Sequence, residues 1–197
     1  LNMRFHPKPV VHLAALLPFA WLLARTLRGE LGPDPVAQLT HATGDWALRF
    51  LLLALAITPL RKLTGWSGLI RFRRMIGLYA FFYTSLHLSV YLALDLGGFW
   101  RQIFEEIAKR PYITVGFLAW LILLALAATS TQAAIRRLKR NWVRLHRLVY
   151  AAGALAVLHF WWLVKADVRE PGIYAAILTV LLVARLPIGK KPRRPGD

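Results

Sequence analysis

MIGLYAFFYTSLHLSVYLAL, residues 75–94, contains no Asp, Glu, Lys or Arg and one histidine, His87. A helix of twenty residues rises about 30 Å, the thickness of a bilayer's hydrocarbon core. Outward from it the texture recurs: LVYAAGALAVLHFWWLV, residues 148–164, holds His159. Six apolar segments can be marked, at about 9–27, 44–61, 75–96, 111–132, 144–164 and 171–188. With 57% hydrophobic residues and a mean hydropathy of +0.48, an ordinary water-soluble core is excluded. The expectation is all-α: a polytopic membrane protein with six transmembrane helices, forming one domain over residues 1–197. The connectors are too short for a separate nucleotide-binding or catalytic domain. The absence of cysteine excludes disulfides, thiolate-held iron–sulfur clusters and c-type haem attachment.

Charge orients the segments. With the amino terminus inside, 18 of the 26 Lys and Arg fall on the inner face, opposed by Asp197 alone. The outer face receives the remaining 8, matched by 8 acids. The net charge of +17 thus lies on one side, which the positive-inside rule assigns to the cytoplasm, with both termini there. Topology accounts for these cations, so nucleic-acid binding is set aside and contact with anionic lipid is the expected consequence. The first segment, preceded by Arg4 and Lys8, reads as a retained helix rather than a signal peptide. Pro18 is expected to kink it. Arg49 and Arg185, near the ends of the short second and sixth segments, are expected to snorkel to the headgroups.

Between segments, residues 29–43 read as a loop with a turn at Gly32-Pro33-Asp34-Pro35. Residues 95–110 suggest a surface helix turning Trp100, Ile103, Phe104 and Ile107 to the bilayer. The tail 189–197, rich in Pro, Lys and Arg, reads as disordered. No internal repeat is evident. Trp46, Trp100, Trp161 and Trp162 outside, and Trp66 and Trp142 inside, read as interface anchors. Gly77, Gly116 and Gly153 mark places where a neighbouring helix or a flat cofactor approaches closely.

Ionisable side chains in hydrocarbon are costly and concentrate where work is done. His87 and His159 each lie about 18–20 Å past the last inner charge, on segments that cross in the same direction. Level and facing, two neutral imidazoles suit the two axial positions of a haem iron. Packing histidines bonded to helix carbonyls and a proton relay are the competing readings, although the acids nearest the spans, Asp45 and Asp95, lie at their outer ends and do not extend a relay inward. His146, at the inner end of the fifth segment, has two readings. It ligates a second haem with His12, or it contacts a propionate, a quinone or a lipid phosphate. His41, at the outer end of the second segment, touches a propionate or is solvated, with solvation favoured, and His6 reads as exposed.

Further motifs extend over nearly the whole chain. They include LGPDPV (31–36), TGDWALRF (43–50), ITPLR (57–61), IRFRR (70–74), LHL (86–88), RPY (110–112), TSTQ (129–132) and the Leu-His pairs at 145–146 and 158–159. In this order they resemble the MsrQ (YedZ) family, within the ferric reductase-like transmembrane superfamily. The resemblance implies b-type haem bound through His87, His146 and His159. It also implies electrons passing from the quinone pool or a cytosolic flavin reductase to a periplasmic molybdenum-containing methionine sulfoxide reductase, which repairs oxidised proteins. FMN is associated with the family, but no flavin motif is visible. On this reading Arg73 and Arg74 hold propionates or an acidic donor, unless they are topology charges only. The chain would be a redox subunit in the bacterial inner membrane, without a substrate-reducing site. A self-contained ferric or quinone reductase and a small transporter using the histidines are the alternatives. The oxidase branch's second histidine on the third segment is missing, which leaves the number of haems open.

Overall fold

The computed structural model describes residues 7–97, 99–164 and 166–186, and every regular element among them is helical. In chain order these are α1 (Pro7–Leu27), α2 (Pro35–Thr64), α3 (Ile70–Val90), α4 (Trp100–Lys109), α5 (Pro111–Ala128), α6 (Gln132–Leu138), α7 (Arg140–His146), α8 (Val149–Leu163) and α9 (Arg169–Val183). A wider π-helical turn, Tyr91–Asp95, continues α3. By length and composition, Pro7–Leu27, Ser67–Asp95 and Pro111–Ala128 are long and apolar enough to cross a membrane. At 15 residues, α8 and α9 rise only about 22 Å each. The tail 189–197, together with Arg4 and His6, lies outside the described residues.

Helix α2 organises the packing. It runs for 30 residues, starting well before the expected 44, because Asp34 caps it and Pro35 opens it. The Asp34 carboxylate accepts from the Ala37 N–H at 3.0 Å, and proline at the first helical position forfeits no bond. The expected loop over 29–43 is therefore a turn ending at residue 34. One side of α2 places Phe50 and Leu51 in a core with Ala80, Tyr83, Leu123 and Ala152. Another places Leu48, Leu52 and Leu55 against Val157, Tyr174 and Leu178. Two hairpin-like pairs result, α2 along α3 and α5 along α8, with α9 closing on α2 and α8. Leu13, Leu17 and Val180 are among many large apolar side chains left facing outward, as a lipid-solvated bundle requires.

Arg49 and Arg185 do not snorkel. Arg49 donates from Nε to the Tyr174 hydroxyl at 3.0 Å and pairs with Asp45 at 3.6 Å. Arg185 turns inward to donate to the Tyr150 hydroxyl at 2.7 Å and to the Leu55 carbonyl. Both join α9 to the bundle because a guanidinium with acceptors on neighbouring helices gains more there than at a distant headgroup. The fifth segment is not one helix: it breaks between α7 and α8, so His146 and His159 lie on different helices. Helix α4 forms as expected, but Ile107 lines an internal cavity instead of facing the bilayer. The other three residues expected on its apolar face have side chains outside the described set. Trp142 and Trp46 also pack inward, against His146 and against Phe50 and Tyr83.

Tyr83 ties α1 to the core. Its hydroxyl donates to the Ala15 carbonyl at 2.8 Å and accepts from the Phe19 N–H at 3.1 Å. This is the turn that Pro18 opens, since proline lacks an N–H and its ring pushes against the carbonyl four residues back. Tyr83→Phe, which strips both bonds from a fully buried position, is expected to cost about 1–3 kcal/mol. A lowered Tm of the detergent-solubilised protein checks it; an unchanged Tm removes Tyr83 as the anchor of α1.

Candidate functional site

A cavity of about 340 Å³ lies between the two hairpin pairs. That is within the range of cofactor sites, about 300–1,000 Å³. His87 from α3 and His159 from α8 both line it. Their ring centres are 6.2 Å apart and the ring planes cross at 77°. The matched depth inferred from spacing is thus realised as a meeting of the two side chains.

Each imidazole is oriented by a helix backbone. His87 Nδ1 lies 2.9 Å from the Thr40 carbonyl on α2, and His159 Nδ1 lies 2.7 Å from the Tyr112 carbonyl on α5. A carbonyl only accepts, so both Nδ1 atoms carry the proton and both Nε2 lone pairs are left free. A helical carbonyl already accepts from the N–H four residues on, and the imidazole takes its second lone pair. The approach passes over that later residue, which is glycine both times. A Cβ on Gly44 would sit 3.2 Å from His87, and one on Gly116 would sit 2.7 Å from His159 Nδ1.

The two half-sites have the same register. In both, ring and acceptor are 47 residues apart, and the glycine falls four residues after the acceptor. The repeat leaves little trace in the sequence because the acceptors, Thr40 and Tyr112, contribute only backbone. A search for Gly and His at one recurring separation would have found it. Of the glycines singled out from sequence, Gly116 faces a histidine, Gly153 packs against Leu178 and Leu55, and Gly77 has nothing within 4 Å.

The cavity's acidic end is lined by Asp34, Asp45 and Asp95, with His41 and Arg110. Arg110 donates to the Tyr112 hydroxyl at 3.1 Å, which raises its pKa above the ordinary arginine value.

The remaining candidates lie elsewhere. His146 stacks on Trp142 at 4.0 Å between ring centres. Its Nε2 is 3.2 Å from Thr129 Oγ1, whose own proton goes to the Ala125 carbonyl at 2.7 Å. Nε2 of His146 must therefore be the donor, the reverse of the other two rings. His12 Nδ1 bonds the Tyr79 hydroxyl at 2.9 Å and lines a separate cleft with Arg74, in which His146 takes no part. Arg73 lies in the electrostatic reach of Arg185 and Tyr150, and neither Arg73 nor Arg74 lines the two-histidine cavity.

Residues 43–157 match the family described as "Ferric reductase like transmembrane component". The chain is 66% identical over 181 residues to a protein of Xanthomonas euvesicatoria pv. vesicatoria (strain 85-10) named "Protein-methionine-sulfoxide reductase heme-binding subunit MsrQ". That match covers 89% of this chain and 83% of the relative. A Rhodospirillum rubrum protein of the same name is 50% identical, with 94% and 90% covered. No solved structure matches the chain.

Gly116→Ala is expected to displace His159 from the Tyr112 carbonyl and cost about 1–3 kcal/mol by overpacking. Gly77→Ala, in open space within α3, should be neutral or stabilising by up to about 1 kcal/mol. Tm values of the two variants beside wild type decide it; equal losses contradict the cradle.

Proposed function

Since this chain belongs to the MsrQ family of ferric reductase-like transmembrane proteins, we propose that it is a membrane electron-transfer subunit holding b-type haem between His87 and His159. One observation carries this reading: two imidazoles with free Nε2 atoms, their ring centres 6.2 Å apart. A metal–imidazole bond of about 2 Å, with roughly 1 Å more to each ring centre, puts two rings across one ion about 6 Å apart. Among the described residues, no cluster of three or more His, Asp or Glu side chains offers a cage for a bare ion. His87 and His159 would hold a haem through its iron, with the macrocycle supplying the remaining donors. When bound, haem supplies reversible one-electron transfer; the protein supplies position and potential.

The chain's own groups divide the work. The Thr40 and Tyr112 carbonyls fix the tautomers and raise the basicity of the free nitrogens. Gly44 and Gly116 admit the rings to those carbonyls. The apolar wall, including Leu51, Leu88 and Leu123, excludes water. His146 serves a second haem or an inner contact; ligation through its Nε2 requires release from Thr129. The backbone carbonyls also weigh against the proton-relay alternative, because a carbonyl that receives the Nδ1–H bond cannot pass a proton onward.

The wider assignment has six spans in the bacterial inner membrane, with both termini and the basic end in the cytoplasm. Electrons come from quinone or a cytosolic flavin reductase. They leave at the acidic end to a periplasmic methionine sulfoxide reductase catalytic subunit, so the chain needs no substrate-reducing site of its own. The relatives' printed names support the subunit role, and the one-sided charge supports the orientation.

Purified protein should be red, with a Soret band and dithionite-sensitive α/β bands. His87→Ala and His159→Ala should each abolish the low-spin signal of this haem, and His146→Ala should spare it. Unaltered low-spin haem in the His87→Ala/His159→Ala double variant would falsify the assignment. Orientation has an independent check because the chain lacks cysteine. In intact cells an impermeant maleimide should label Lys109→Cys and leave Arg137→Cys unlabelled. The reverse pattern inverts the topology.

A further inference from the structure

Toward the basic end, α1 and α3 enclose a second cleft of about 350 Å³. Lys8 and His12 face it from α1, one turn apart. Arg71, Arg74, Leu78 and Phe82 face it from α3 at helical spacings of three and four. Polarity is graded along this face. The cations lie at one end, and Leu78 and Phe82, each 37% exposed, continue toward the bundle's middle. Arg71 to Phe82 covers eleven residues, about 16 Å along the axis. No acid is among the lining residues, and the His12 ring is held by Tyr79 at the floor.

Three cations without an acid call for an anion of more than one charge. The exposed apolar strip beyond them calls for hydrocarbon. One molecule with both features, in that order along the membrane normal, is an anionic glycerophospholipid. Basic pockets between transmembrane helices on the cytoplasmic side are a general setting for such headgroups. A soluble phosphate would satisfy the cations and leave the Leu78–Phe82 strip uncovered.

We propose that the α1–α3 cleft is a specific anionic-phospholipid site, with phosphate held by Lys8, Arg71 and Arg74 and an acyl chain along Leu78 and Phe82. The inference rests on the membrane-spanning reading and is independent of the haem.

The test is lipid retention by the full chain in mild detergent, read by native mass spectrometry during titration with cardiolipin or phosphatidylcholine. Cardiolipin should be retained in preference to phosphatidylcholine. Arg71→Gln/Arg74→Gln should weaken that retention at least about tenfold, while Arg136→Gln/Arg137→Gln, also basic but outside the cleft, should not. Leu78→Ser/Phe82→Ser should weaken cardiolipin retention too. Equal loss in both arginine pairs means diffuse surface charge and overturns the site. Preference for neither lipid overturns it as well. In wild type, displacement of cardiolipin by millimolar inorganic phosphate or FMN assigns the cleft to a soluble phosphate and sinks the lipid proposal. That last arm uses no variant, so it stands even if a substitution prevents folding. Haem absorbance in the same samples reports the haem reading separately.

Discussion

The two bonds from imidazole Nδ1 to a helix carbonyl are the constraint around which the bundle is arranged. An imidazole away from water must satisfy its N–H, and a buried unpaired donor costs about 1–3 kcal/mol. Inside a helical bundle most backbone acceptors are already engaged, which leaves second lone pairs on carbonyls. Reaching one requires a gap on the helix surface one turn further on, which glycine leaves and a Cβ would crowd, most severely at Gly116. Histidine, carbonyl and glycine therefore form a unit in which each member explains the others. Its result is chemical as well as structural, because satisfying Nδ1 leaves Nε2 as the one free nitrogen.

The unit occurs twice, once in α2 with α3 and once in α5 with α8, with an identical separation of 47 residues. Two similar hairpins that each present one ring can meet across a cavity without either ring departing from its own helix pair. The remaining elements hold the hairpins in register. Arg49 with Tyr174, and Arg185 with Tyr150 and the Leu55 carbonyl, fasten α9 to α2 of the first pair and α8 of the second from opposite ends. Tyr83 fastens α1 to the first. The arginines were expected to reach outward. A charged group without a nearby partner does so, but acceptors a few ångströms away on a neighbouring helix reverse that preference.

What the sequence disclosed follows the same physics. Apolar runs with charged ends are long-range signals, so the helical class and the pairing of His87 with His159 were legible from composition and spacing. The start of α2 is legible too, since Asp34-Pro35 is a cap followed by a helix opener, although the same Gly-Pro-Asp-Pro run also carries turn residues. The break between α7 and α8 was not legible, because no proline or glycine marks residues 147–148. The acceptors were hidden for a deeper reason. A backbone carbonyl has no residue identity, and Thr40 and Tyr112 have nothing else in common. Only the glycine beyond each acceptor leaves a trace, and Gly44, at the very start of its apolar segment, is less conspicuous than the glycines inside the others.

His146 shows why residue type alone does not assign a role. It lies beside basic residues, stacked on Trp142, and it gives its Nε2 proton to a threonine hydroxyl already committed to Ala125. His87 and His159 give up Nδ1 instead. The three rings are chemically the same, and a motif reading treats them alike. Their neighbours divide them into two rings with Nε2 available toward a shared cavity and one with Nε2 occupied. For an imidazole to bind a metal, the nitrogen that points at the metal must be the one its partner leaves free. In this bundle that condition is met by the pair whose partners are carbonyls on the adjacent helix. It becomes available to His146 only if the Thr129 bond is given up.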